Sequence, residues 1–128
     1  MGIGEAACQN AAAHRLYKTG DYSAAARLLE PCAKDGDARA QLRLATLYRM
    51  GQGVEEDEYA AFRWYQAAAD QGVPEAQFHV GLMYLRGEGV TEDSDAALDW
   101  LETASRAGYG DAVTLFDYVL NNDTATAC

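Results

Sequence analysis

Apolar residues between Arg39 and Gly108 recur at helical spacing in four blocks, with glycine-bearing turns between them. Over residues 37–50 and 73–86, Ala40, Leu44, Leu47 and Tyr48, then Ala76, Val80, Met83 and Tyr84, each fall on a single helix face. This is the spacing of an amphipathic helix, and it predicts two A helices. Each A helix ends in G-x-G-V, at Gly51–Val54 and Gly87–Val90. Glycines there reach backbone conformations closed to other residues, so the chain reverses and the valine tucks back under the hairpin. B helices follow at about 57–70 and 93–106, with Ala60, Ala61, Trp64, Ala68 and their counterparts on one face. The alanines let backbones approach, and the tryptophans fill the space between hairpins. Acidic residues crowd the B-helix starts (Glu55 to Glu58; Glu92, Asp93, Asp95), opposite the positive end of the helix dipole.

The second A–B pair copies the first at a displacement of 36 positions, without a gap. Ala40 meets Ala76, Gln41 meets Gln77, Tyr48 meets Tyr84, Gly51 and Gly53 meet Gly87 and Gly89, Asp57 meets Asp93, Trp64 meets Trp100, and Gly72 meets Gly108. A period of this length marks a solenoid, in which each unit buries its apolar face against its neighbours. The first unit departs from the pattern. Tyr17 lies 31 residues before Tyr48, so its turn shrinks to Lys18–Thr19–Gly20; His14 falls at the small-residue position of Ala45 and Gly81. Pro31 is expected to kink its B helix by removing a donor. Asp111 to Asn121 reads as a lone A helix, with Asp117 at the small-residue position, where the array is expected to stop. One domain over 1–128 is therefore expected: an atypical unit at 5–36, repeats at 37–72 and 73–108, a capping helix at 109–122 and a polar tail at 123–128.

The motif A-x-x-x-L/V-A/G-x-x-Y-x-x-G-x-G-V-x-x-D-x-x-A-A-x-x-W-x-x-x-A resembles the Sel-one-like repeat (SLR) family, relatives of the tetratricopeptide repeats. The match is close over 37–108, loose over 5–36, and a half unit over 109–121. The resemblance implies an all-α fold: a right-handed α-solenoid superhelix of antiparallel helix hairpins, about three units plus a C-terminal capping helix, with A helices lining the concave face. It also implies an adaptor's role, and many bacterial members of such families are exported.

Composition narrows the function. A length of 128 residues suits one domain, and 49% hydrophobic residues argue against global disorder. The formal net charge of -10 opposes binding to a phosphate backbone. No apolar run reaches the ~18 residues of a membrane span. MGIGEAACQN carries neither the basic region nor the apolar core of a leader, and Ala6 stands where a myristoylation motif after Met-Gly needs Ser or Thr. The chain reads as soluble, with a periplasmic or secreted mature domain slightly favoured over a cytoplasmic one. Cys8 and Cys32 flank the first turn at similar distances. In a hairpin they stand level, placed either to bridge or to remain as two small buried thiols. Cys128 is expected to be free or mispaired.

Candidate binding residues are those left once the core is subtracted. Phe78, Leu82 and Leu85 form a second apolar stripe on the third A helix, where the preceding unit has Leu42, Thr46 and Arg49. By analogy with tetratricopeptide grooves the stripe faces the concave surface; burial by neighbouring helices is the alternative. Six of the ten basic residues, Arg15, Lys18, Arg39, Arg43, Arg49 and Arg86, fall on A helices or their ends. A locally basic concave face built from Arg39, Leu42, Thr46, Arg49, Phe78, Leu82, Leu85, Arg86 and Tyr118 would suit a peptide carrying carboxylates and an apolar anchor. Solvated salt bridges are the plainer account of the arginines.

Candidate chemistry is sparse. His14 and His79 form no unit with a cysteine or carboxylate and read as partly buried helix residues. No serine sits in a G-x-S-x-G elbow. The acidic run Glu55–Glu58 lacks the alternation of a calcium loop, and the G-x-G-V glycines end a helix instead of opening one on a phosphate. No metal or cofactor is expected. The leading expectation is a non-enzymatic interaction module for a protein or peptide partner. An inhibitor or immunity protein masking a toxin or enzyme is the alternative, and an enzyme on cell-wall or antibiotic substrates a further one.

Overall fold

The computed structural model describes the backbone of residues 8–127 and the side chains of residues 8–122. Residues 1–7, with the opening Met-Gly and Ala6, and Cys128 lie outside the described residues. Seven helices make up the described chain: α1 (Asn10–Thr19), α2 (Tyr22–Lys34), α3 (Ala38–Met50), α4 (Glu58–Asp70), α5 (Pro74–Arg86), α6 (Ser94–Arg106) and α7 (Gly110–Ala127). Each packs against the next in sequence, which gives an all-α helical solenoid with α1, α3, α5 and α7 as A helices. Helix α7 runs five residues past the expected end at 122, into the segment read as a tail.

Aspartates cap the starts of α2, α3, α4 and α6. Asp37 accepts from the Ala40 N–H at 2.9 Å, and Asp57 and Asp93 accept from the Ala60 and Ala96 N–H groups at 3.1 Å each. Two of the acids read as dipole complements are therefore N-caps, and each satisfies a backbone donor that the first turn leaves free.

The G-x-G-V turn does two jobs. Gly51 and Gly87 cap α3 and α5 in the left-handed conformation, at φ 66° and 70°. Gly53 and Gly89, also at positive φ, lie with their backbones directly on the start of the preceding unit's B helix. A Cβ on Gly53 would collide with the backbone of Tyr22 and Ser23, and one on Gly89 with that of Glu58. Hairpin therefore meets hairpin main chain to main chain. The first described unit turns more tightly, with Gly20 alone capping α1 at φ 89°.

In α1 the buried residue is Ala13, which joins Ala25, Ala26 and Leu29 in one cluster; His14, expected at the small-residue position, is exposed. The expectation that both histidines are partly buried thus holds for His79 alone. Pro31 lies within α2, which continues through it to Lys34. Cys8, just ahead of α1, is joined to Cys32 of α2 by a disulfide, so the two-thiol alternative is not what the structure holds.

Two apolar clusters fill the interior. One joins α1, α2 and α3 around Leu29, Leu44 and Leu47; the other joins α3, α4 and α5 around Tyr65, Val80 and Met83. Trp64 packs against both and bridges the units. Close helix approach is set by small residues: a Cβ on Gly81 would press on Leu101 of α6. Asp117 of α7, at the equivalent place, is exposed.

Candidate functional site: a groove along the A helices

Three adjoining clefts run across the A helices and share Arg39. The largest, about 430 Å³, is lined by Ala38, Arg39, Leu42, Val73, Pro74, Glu75 and Tyr109, where α3, α5 and the approach to α7 meet. A second, about 210 Å³, continues along α3 past Leu42, Arg43 and Thr46 to Tyr17 of α1. A third, about 320 Å³, lies between α1 and α3 and is lined by Asn10, Ala11, His14, Asp37, Arg39 and Arg43. Together they form one groove. Its floor is apolar at Leu42, Val73, Pro74 and Tyr109; Arg39 and Arg43 line its α1–α3 side together with Asp37, and Glu75 lines both the largest cleft and the one that reaches Tyr17.

Local packing fixes these side chains. The Arg43 guanidinium sits 5.9 Å above the Tyr17 ring, a cation–π placement that holds it over the groove. Burial lowers the Arg43 pKa and the neighbouring Arg39 lowers it further. Tyr17 is raised, chiefly by burial and then by Tyr22, and Tyr109 by burial and then by Glu75 and Asp111. Among the described residues the ion pairs are Lys34–Glu30 and Arg106–Glu102, both on B helices, so Arg39 and Arg43 stand in the groove without a salt bridge.

Beneath the groove lies a polar link. Tyr65, fully buried, has its hydroxyl 2.9 Å from the Thr46 Oγ1 and accepts from the Arg49 Nε at 3.2 Å. Thr46 donates in turn to the Leu42 carbonyl at 3.0 Å. His79 stacks on the Tyr65 ring at 4.6 Å, and burial, then Arg49, lowers its pKa to about 4. Phe78 closes the other side, 5.4 Å from the His79 ring and 5.3 Å from Tyr109.

The residues expected from the sequence separate accordingly. Arg39, Leu42 and Thr46 line the groove. Arg49 turns to Tyr65, and Phe78 backs Tyr109. Leu82 and Leu85 are half-buried along α5, Arg86 is exposed at its end, and Tyr118 is exposed on α7. Tyr17, Arg43, Glu75 and Tyr109 line the groove as well, and the second apolar stripe does not point to them. The one signal for Glu75 was its alignment with Arg39, a reversal of sign at a repeated position.

A stack of capped helix hairpins joined through glycine backbones, with a groove along alternate helices, defines a helical-repeat protein. The chain belongs to the Sel1 repeat family, whose model matches residues 38–73 and 74–109. It is similar to a Sel1 repeat protein from Oxalobacter formigenes, with 31% identity over 84% of this chain and 44% of that one, at a TM-score of 0.80. A protective antigen present in uropathogenic Escherichia coli strains, displaying an SLR fold, is 29% identical over 80% of this chain and 22% of its own, at a TM-score of 0.78. Cysteine rich protein B of Helicobacter pylori shares the fold, at 22% identity over 71% of this chain and 68% of its own and a TM-score of 0.67. The chain spans less than half the length of the first two. No curated protein matches it. Sel1 repeat proteins are generally protein-interaction modules and typically non-enzymatic scaffolds. Among the described residues no helix is long and apolar enough to cross a membrane.

Proposed function

We propose that this protein is a scaffold or adaptor that holds a segment of a protein partner along the A-helix groove, which forms the concave face of the solenoid. The observation that carries this reading is the continuity of the three clefts through Arg39, from Tyr17 to Tyr109. The partner segment places an apolar side chain over Leu42, Val73 and Tyr109 and sets acidic groups toward Arg39 and Arg43. By the 36-residue period Tyr118 holds the place of Leu82 and Thr46, so the same face extends over Leu82, Leu85, Arg86 and Tyr118. The Cys8–Cys32 bridge suits work in an oxidising compartment.

Affinity capture from the source cell tests the reading, with the wild type run beside Arg39→Glu, Leu42→Asp on the groove and Arg63→Glu on the exposed side of α4. A partner retained by the wild type and Arg63→Glu but lost by the groove variant is the expected result. Equal capture by all three, with unchanged melting curves, rejects the groove.

A further inference from the structure

The cleft between α1 and α3 holds three groups that disfavour one another's charge. Arg39 and Arg43 rise from successive turns of α3, and His14 faces them from α1. Other charged groups near His14 are Lys18 and Arg15 on its own helix and Asp37 on the cleft wall. Asp37 is already engaged: its Oδ1 accepts from the Ala40 N–H at 2.9 Å, and its Oδ2 from the Asn10 Nδ2 at 2.6 Å. Arg43 is held over the Tyr17 ring, so it does not simply swing away into water. The arrangement keeps a concentrated positive field open to the outside on a chain of net charge -10. Glu75 shares the adjoining cleft with both arginines but makes no salt bridge to either. Within the α1–α3 cleft the one carboxylate, Asp37, is already hydrogen-bonded, so the site has room for a further anion.

We propose that this cleft is the subsite that seats the carboxylates of an acidic peptide segment, with Arg39 and Arg43 as permanent charges and His14 as a third, proton-dependent one. Without an occupant the His14 pKa is lowered, first by Arg43, then by burial, Lys18 and Arg39. A carboxylate placed among these groups cancels that repulsion and stabilises the imidazolium. Binding therefore takes up a proton, and affinity rises as pH falls through the range where the free imidazole is neutral and the bound one charged. Peptide carboxylates stay ionised over this range, since their ordinary pKa values lie near 4. The subsite is part of the A-helix groove and serves the function proposed above, but it is tested separately.

The test follows the His14 ring by NMR from pH 4.5 to 8, with and without a synthetic Asp-Glu-Asp-Glu peptide, alongside peptide affinity at pH 7.5 and 5.5. In the free protein His14 titrates below its ordinary value, and Arg43→Gln restores it toward that value. With the peptide bound its midpoint rises by about one pH unit, and affinity is about three- to tenfold higher at pH 5.5 than at 7.5. His14→Gln, at an exposed position, abolishes that pH dependence. A His14 midpoint unmoved by bound peptide, or a pH dependence that survives His14→Gln, overturns the proton coupling. Inorganic phosphate moving His14 as far as the peptide does overturns the assignment to peptide carboxylates. A peptide that does not bind at either pH overturns the subsite, while groove-dependent capture of the partner would leave the broader function standing.

Discussion

Gln41 and Gln77 occupy equivalent positions, and both are buried, but their hydrogen bonding differs. Each donates to a carbonyl of the preceding B helix, Ala33 or Ala69. The Gln41 Oε1 also accepts from the Gln71 Nε2 at 3.0 Å, and that nitrogen reaches the Gly36 carbonyl at 2.9 Å. One repeat later Ala107 replaces Gln71, and the Gln77 Oε1 is left without a partner. Ala107→Gln should restore the clasp, because residue 107 has nearly the backbone angles of residue 71. A gain of about 1 kcal/mol in urea unfolding is expected; no gain would mean that the buried oxygen is satisfied by water. His79 makes a second prediction. Its folded pKa, about 4, lies below the ordinary value of 6.5, so the unfolded chain binds the proton more tightly. Stability is full above pH 6.5 and falls toward pH 4, by roughly 3 kcal/mol at most. His79→Gln should flatten that part of the pH profile, and parallel profiles for the two proteins would refute the assignment. Of these residues, the repeated glutamines are plain in the sequence. The stack of His79 on Tyr65 is not, because it joins residues from different units that share no local pattern.

Among the elements, the G-x-G-V turn separates conformational need from spatial need. Gly72 has positive φ with open space around it, whereas Gly53 has positive φ and a backbone neighbour in the place of a side chain. Gly72→Ala should cost about 1 kcal/mol for the left-handed backbone alone. Gly53→Ala should cost clearly more, since the hairpins must also part. Equal losses in thermal unfolding would show that the stacked backbones yield easily. The Cys8–Cys32 bridge closes a separation of 24 residues, and reducing it should cost about 3 kcal/mol. Hydrogen exchange should rise mainly in α1 and α2, because solenoid units depend on their neighbours more than on distant parts; a uniform rise would contradict this. Helix positions and turns were legible, since periodicity and glycine placement act locally. The exposure of His14 was not: alignment on Tyr17 places it at the small-residue position of Ala45 and Gly81, yet in α1 it is Ala13 that joins the buried cluster with Ala25 and Leu29.

For the molecule as a whole, the 36-residue period showed a solenoid before any contact was known, because stacking repeats the same apolar and small positions in every unit. The groove was legible only in part. Arg39, Leu42 and Thr46 emerge from the subtraction of core positions, but Tyr109 lies in a junction between helices and joins the groove only when α7 folds back. Arg39 and Glu75 share a repeat position yet occupy one cleft, so neighbouring units face the same space with opposite charge. Raising sodium chloride from 0.05 to 0.5 M should weaken partner association if Arg39 and Arg43 contribute, since exposed charges are screened at that strength; salt-independent affinity would assign recognition to the apolar floor. The backbone contacts at Gly53 and Gly89 also bear on how such a protein changes over time. At these two joints backbone meets backbone, apart from the side chains that line the groove. Substitutions along the groove can therefore change what the surface presents while leaving these joints intact.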